Sequence, residues 1–142
     1  MVLFAKDILD KDFLLLDENA TVLEATRLMK ATKHGFAVIG PVASPKGIVT
    51  EWDVLSKVVA EGVDPGGTRV KDIMTTDMVT VTPDTAIAKV SMIMSQRGVR
   101  RLLVKQGDEV IGFVTAKTVL ARLNDYVDKV SEQISRLQGP SF

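Results

Sequence analysis

The chain has 142 residues, with 18 basic and 18 acidic side chains, 46% hydrophobic residues, one histidine and no cysteine. That length builds one compact domain, the cancelled charge recruits neither nucleic acid nor an anionic membrane, and the missing thiols exclude disulfides, thiolate catalysis and cysteine metal sites. No apolar run approaches the ~18 residues of a membrane span and the short acidic N-terminus does not read as a signal peptide, so a soluble cytoplasmic protein is expected.

A helical turn is expected at residues 5–9 and a strand at 13–16. Thr21-x-x-Glu24 reads as a capping box that starts a helix. Val22, Ala25, Leu28 and Met29 give that helix one apolar face, and Gly35 is expected to end it. Strands follow at 36–39 and 47–49, then a helix from Glu51 to about residue 60. Gly62 to Thr68, with Pro65-Gly66-Gly67, is the one clear linker. Beyond it come a strand at 78–81, a helix carrying Ile87, Val90, Ile93 and Met94, and a hairpin of strands 101–104 and 110–114. A last helix starts at Ala116 and runs to about Gln138. Along it Leu123, Val127, Val130, Ile134 and Leu137 recur at heptad-like spacing. That stripe either packs back on its own domain or meets a second subunit.

The order repeats. Residues 6–59 and 71–124 align at a constant offset of 65 without insertion or deletion: Lys6-Asp7-Ile8 matches Lys71-Asp72-Ile73, and Gly47-Ile48-Val49-Thr50 matches Gly112-Phe113-Val114-Thr115. Ten identities in 54 positions are few, but apolar positions match through nearly the whole span, which marks a duplicated supersecondary unit. The fold class is α/β, two tandem β-α-β-β-α units related by pseudo-two-fold symmetry with an extended C-terminal helix. Repeat 1 spans 5–61, the linker 62–69, repeat 2 70–124, and the helical extension and tail 125–142. Units this small pack as one body, leaving a cleft between them.

Gly47-x-x-Thr50-x-x-Asp53 carries the clearest chemistry. A glycine lets a ligand approach the backbone closely. Thr50, where a strand becomes a helix, can turn its hydroxyl and the free helix N–H groups to an anion. The Asp53 carboxylate can accept from two ribose hydroxyls at once. The same spacing is also close to a capping box, which would account for Thr50 and Asp53 with no ligand at all. In the second copy Thr115 keeps the cap position while Thr118 stands where Asp53 stands in the first. One competent site is therefore expected, the second being weak, altered or empty. Thr115 and Thr118 would belong to that second site; His34 either lines it or is a packed or partly exposed residue with no ligand role. A lone histidine makes a metal site or a proton relay unsupported. Trp52 lies at the rim of the first.

These pieces resemble a stand-alone tandem pair of CBS domains, the cystathionine β-synthase type of regulatory module, over residues 5 to about 124. The resemblance rests on β-α-β-β-α occurring twice, on Val70-Lys71-Asp72-Ile73-Met74-Thr75, Thr80-Val81-Thr82-Pro83-Asp84-Thr85 and Val99-Arg100-Arg101-Leu102-Leu103-Val104, and most of all on Gly47-Ile48-Val49-Thr50-Glu51-Trp52-Asp53. It implies a non-catalytic regulatory or energy-sensing module that binds an adenine nucleotide (AMP, ADP or ATP) in the inter-repeat cleft, with no obligatory cofactor and no metal, and that forms a homodimer. The threonine would contact phosphate and the aspartate ribose. The adenine pocket would come from Met78, Val79 and Thr80, with Val99 beneath the base and Ile48 closing it. Arg97, Arg100 and Arg101 suit the phosphate end because a guanidinium matches phosphate bidentately, with Lys33 a further contact; each could instead be a solvated surface residue. With no effector domain in the chain, output would pass through an unknown effector protein or through dimer geometry. The alternatives are a structural or interaction module with a vestigial cleft, binding of S-adenosylmethionine, or nucleic-acid binding through Arg97, Arg100, Arg101 and Lys105, which lacks aromatic interleaving. A free-standing enzyme has the least support, since no nucleophile–base pair or metal cluster emerges.

Overall fold

The structure, a computed structural model, describes residues 2–138; residues 139–142 of the expected C-terminal tail lie outside them. A short 3-10 helix (Ala5–Ile8) precedes β1 (Leu14–Leu16), α1 (Val22–Thr32), β2 (Phe36–Ile39), β3 (Gly47–Thr50) and α2 (Glu51–Val54). The second copy comprises α3 (Val70–Ile73), β4 (Thr80–Val81), α4 (Ile87–Arg97), β5 (Arg101–Gln106), β6 (Glu109–Thr115) and α5 (Ala116–Gln138). Each copy forms a three-stranded sheet, β1-β2-β3 and β4-β5-β6, whose first pair is parallel and second antiparallel. This is the duplicated mixed α/β architecture expected from the sequence.

The capping box of α1 forms as expected: Glu24 N–H donates to Thr21 Oγ1 at 3.1 Å and Thr21 N–H to Glu24 Oε2 at 3.0 Å. Two details of α1 differ from expectation. Leu28 is exposed, leaving Val22, Ala25 and Met29 to bury the face. The helix ends at Lys33, not Gly35: Lys33 takes the left-handed conformation (φ 59°, ψ 28°), as its counterpart Gly98 does at the end of α4. The helix from Glu51 also departs from the simple expectation. After Val54 it widens without a break into a π-helical stretch, Leu55–Val59. Ala60 N–H then reaches back to Leu55 C=O at 2.9 Å. Strand β4 is two residues shorter than expected, because Met78 and Val79 lie outside the ladder.

Alternation along the strands creates three cores. On β2, Ala37 and Ile39 face the helices of the first copy, while Phe36 and Val38 face the opposite sheet. On β5, Leu102 and Val104 face the second copy's helices while Leu103 joins Phe36, Val38, Val110 and Phe113 between the repeats. There the rings of Phe36 and Phe113 meet edge to face, with centroids 4.8 Å apart.

The copies also exchange their leading helices. Ala5 and Ile8 are buried in the core of the second copy, and Val70 and Ile73 in that of the first. The backbone bonds follow the same symmetry: Ala5 N–H donates to Thr85 C=O at 2.8 Å, and Val70 N–H to Ala20 C=O at 2.8 Å. Neither repeat completes its core alone.

Candidate functional site

Thr50 ends β3 in extended conformation (φ −112°, ψ 166°) and caps α2. Its hydroxyl accepts from Asp53 N–H at 3.2 Å, and Asp53 Oδ2 accepts from Thr50 N–H at 2.9 Å and from Thr50 Oγ1 at 3.1 Å. The other oxygen, Asp53 Oδ1, accepts from Thr75 Oγ1 at 3.1 Å and pairs with Lys57 Nζ at 2.9 Å. Two bonds per oxygen fill about four lone-pair sites of the carboxylate, and Asp53 is only 3% exposed. The capping arrangement is therefore real, and it is extended across the repeats by Thr75 of the second copy. A ribose could reach Asp53 only in exchange for one of these partners.

Gly47 serves a different need from the one expected. A Cβ there would lie 2.8 Å from Thr75 C=O and 3.0 Å from Met74 Sδ. What approaches this glycine is thus the second repeat, through the paired backbone bonds of Ile48 and Thr75 (3.0 and 2.8 Å). Gly112 meets Asp10 and Leu9 in the same way.

Beside Asp53 lies a cavity of about 340 Å³ between the repeats. Its apolar lining is Phe36, Ile48, Val79, Val99 and Leu103; its polar lining includes the bonded group Thr50, Asp53 and Thr75 and the two guanidinium groups of Arg100 and Arg101. Glu51, Trp52, Asp77 and Gly98 complete the lining. Arg101 lies over the Phe36 ring, 5.0 Å from its centroid, and its Nη2 is 3.9 Å from Glu51 Oε1. Burial first, and the neighbouring Arg100 charge second, hold the Arg101 guanidinium below its ordinary pKa, with Glu51 acting the other way. Trp52 is 69% exposed at the mouth.

Of the residues singled out from sequence, Ile48, Thr50, Asp53, Val79, Val99, Arg100 and Arg101 are brought together around this cavity. Four others are not. Met78 packs against the inter-repeat core, and Thr80 sits exposed on β4 opposite Leu103. Arg97 projects from α4 with its Nη1 3.9 Å from Asp77 Oδ2, and Lys33 is the C-cap of α1. In the second copy Thr115 and Thr118 cap α5 reciprocally: Thr118 N–H donates to Thr115 Oγ1 at 3.1 Å and Thr115 N–H to Thr118 Oγ1 at 3.2 Å. His34 Nε2 lies 3.4 Å from Asp12 Oδ2.

Phe36, Glu51, Thr75, Asp77, Gly98 and Leu103 are the lining residues that sequence reasoning missed. The repeat offset held the signal for Thr75: its counterpart is Asp10, so the acid and the threonine change places between copies (Asp53 with Thr75, Thr118 with Asp10). Asp10 Oδ1 accepts from Asp12 N–H at 2.9 Å, whereas Thr118 Oγ1 bonds to Thr115 C=O at 2.9 Å. Among the described residues no group of histidine and carboxylate side chains is placed to hold a metal ion, and no helix is long and apolar enough to cross a membrane.

Comparison with known proteins bears on these observations. The family model described as the CBS domain matches residues 5–60 and again 70–125. An uncharacterized protein of Methanopyrus kandleri is 30% identical over 113 residues; the match covers 77% of this chain and 58% of the relative, so the chain spans little more than half of that protein's length. Among solved structures, the hexameric CBS-CP12 protein from bloom-forming cyanobacteria is similar at 35% identity and a TM-score of 0.79, over 90% of this chain and 75% of that one. The CBS domain pair of the protein MJ0100, solved in complex with 5'-methylthioadenosine and S-adenosyl-L-methionine, shares the fold at 23% identity and a TM-score of 0.78, over 89% and 99% of the two chains.

Proposed function

The chain belongs to the CBS-domain family, whose tandem pairs are generally regulatory ligand-binding modules, and from that premise we propose that it binds an adenosine-containing ligand in the Asp53 cleft and performs no chemistry of its own. The observation that carries this reading is the convergence of the two repeats on one cavity. Its lining combines the apolar Ile48, Val79 and Val99, suited to a base, with a carboxylate and two guanidinium groups. The ligands of the structural neighbour MJ0100 are both adenosine compounds, which supports the same class here.

In this reading the base meets the apolar lining, the ribose exchanges with Thr75 or Lys57 at Asp53, and the anionic tail meets Arg100 and Arg101. Such a role belongs in the cytoplasm, where adenine nucleotides are made and consumed. The exposed stripe of α5 serves self-association as a homodimer, so that ligand occupancy is read by an effector protein through the assembly. Calorimetric titration with AMP, ADP, ATP and S-adenosylmethionine tests the proposal, with Trp52 fluorescence as a second readout. Binding by at least one, weakened tenfold or more by Arg100→Gln, is the expected result; silence from all four overturns it.

A further inference from the structure

Each charge lining the cleft has a counter-charge nearby, with one exception. Asp53 is held by Lys57, Arg101 faces Glu51, and Asp77 faces Arg97. Arg100 lines the cavity, is exposed, and makes no ion pair among the described residues. An incoming anion therefore finds one guanidinium without a counter-charge.

A second guanidinium is available only in competition with Glu51. The backbone of Glu51 is anchored beside Arg101, while its carboxylate, 64% exposed, lies within reach of that guanidinium. Glu51 N–H donates to Gly35 C=O at 3.1 Å, and the Glu51 side chain occupies the space a Cβ on Gly35 would need, with Arg101 Nη2 3.0 Å from the same point. Gly35 stands where the second copy carries Arg100, and Glu51 where it carries Ala116. The duplicated framework has thus placed an acid and the room for it on the first copy's side alone. A tail with several negative charges would have to displace Glu51 from Arg101 and also lie beside Asp77, and each added negative charge is opposed by both carboxylates, to a degree that their exposure to solvent moderates.

Resting on the adenosine reading above, we propose that this cleft selects adenosine ligands whose tail carries a single anionic group, a monophosphate or a carboxylate, over di- and triphosphates, and that Glu51 sets the limit. The group meets Arg100 first, and Glu51 holds Arg101 against any further negative charge. Specificity of this kind is a difference of affinities created by a repulsive element as much as by an attractive one.

The test is calorimetric titration of the full chain with AMP, ATP, S-adenosylmethionine and uncharged methylthioadenosine in magnesium-free buffer, repeated on Glu51→Gln. The expected result is AMP or S-adenosylmethionine binding at least tenfold more tightly than ATP, with methylthioadenosine weaker than the better of the two. Glu51→Gln should then narrow the gap to ATP severalfold. AMP favours the phosphate as the single group and S-adenosylmethionine the carboxylate. ATP binding as tightly as AMP to the unmodified chain overturns this inference and leaves the adenosine reading standing. So does a ratio of AMP to ATP affinity unmoved by Glu51→Gln. Binding by none of the four overturns both.

Discussion

Lys57 Nζ lies 2.9 Å from Asp53 Oδ1 and 2.8 Å from the carbonyl oxygen of Ile73, so one ammonium joins the cap of α2 to the end of α3. The first contact lies within repeat 1, four residues apart on one helix; the second crosses to repeat 2. The counterpart of Lys57 is Arg122, which reaches Asp7 C=O at 3.2 Å across the pseudo-two-fold. The cross-repeat tie is therefore built into both halves, and only in the first does it also hold a buried carboxylate.

Lys57→Met keeps the aliphatic stem and removes the charge. The expected loss is about 1–2 kcal/mol, held down by the partial exposure of the lysine, and read as a lower midpoint of urea unfolding. Because it releases one oxygen of Asp53, adenosine affinity should rise in the same variant. A change of both quantities in the same direction counts against the exchange described for the ribose.

Thr50 and Thr115 are symmetry-related caps with comparable bonds. Thr50→Ala and Thr115→Ala should each cost about 1 kcal/mol of stability. Only Thr50→Ala should alter the ligand response of Trp52, since Thr115 does not line that cavity. Equal effects of the two on binding would show that Thr50 acts through the fold alone.

Lys33 holds φ at 59° with a side chain attached, in the conformation its counterpart Gly98 adopts without one. Relief of that strain by Lys33→Gly is expected to stabilise the protein by about 1 kcal/mol and to raise the melting temperature by a few degrees. Calorimetric affinity should stay as it was, because Lys33 lies off the cleft.

Helix α5 leaves Leu123, Val127 and Ile134 about half exposed and Leu137 at 87%. Removing the chain after Asn124 deletes the last three of these. If α5 carries the proposed homodimer through this exposed apolar stripe, light scattering should then report a monomer. An oligomer that survives truncation places the interface elsewhere.

The duplication, the order of elements and the caps at Thr21 and Thr50 were legible in the sequence, because each depends on spacing within a few residues or on a constant offset. The cleft was partly legible. Ile48, Thr50 and Asp53 lie on one local motif, and Val99, Arg100 and Arg101 on another. Glu51, Thr75 and Phe36 were not, since each acts by meeting a residue of the other repeat. Lys33 read as a possible phosphate contact because its charge was visible while its left-handed backbone was not.

The sequence by itself determined that two copies of one unit form this protein, and that only the first carries an aspartate at the end of its Gly-x-x-Thr-x-x-Asp pattern. Periodicity, capping and repeat register are local, and local energies decide them. The tertiary structure alone decided what that aspartate does. It brought Thr75 to the Asp53 carboxylate and the Ile73 carbonyl to Lys57, set Glu51 against Arg101, and seated each leading helix in the other repeat's core. Those are contacts between groups far apart in the chain, fixed by how the two sheets and their helices pack, and no spacing in the sequence encodes them.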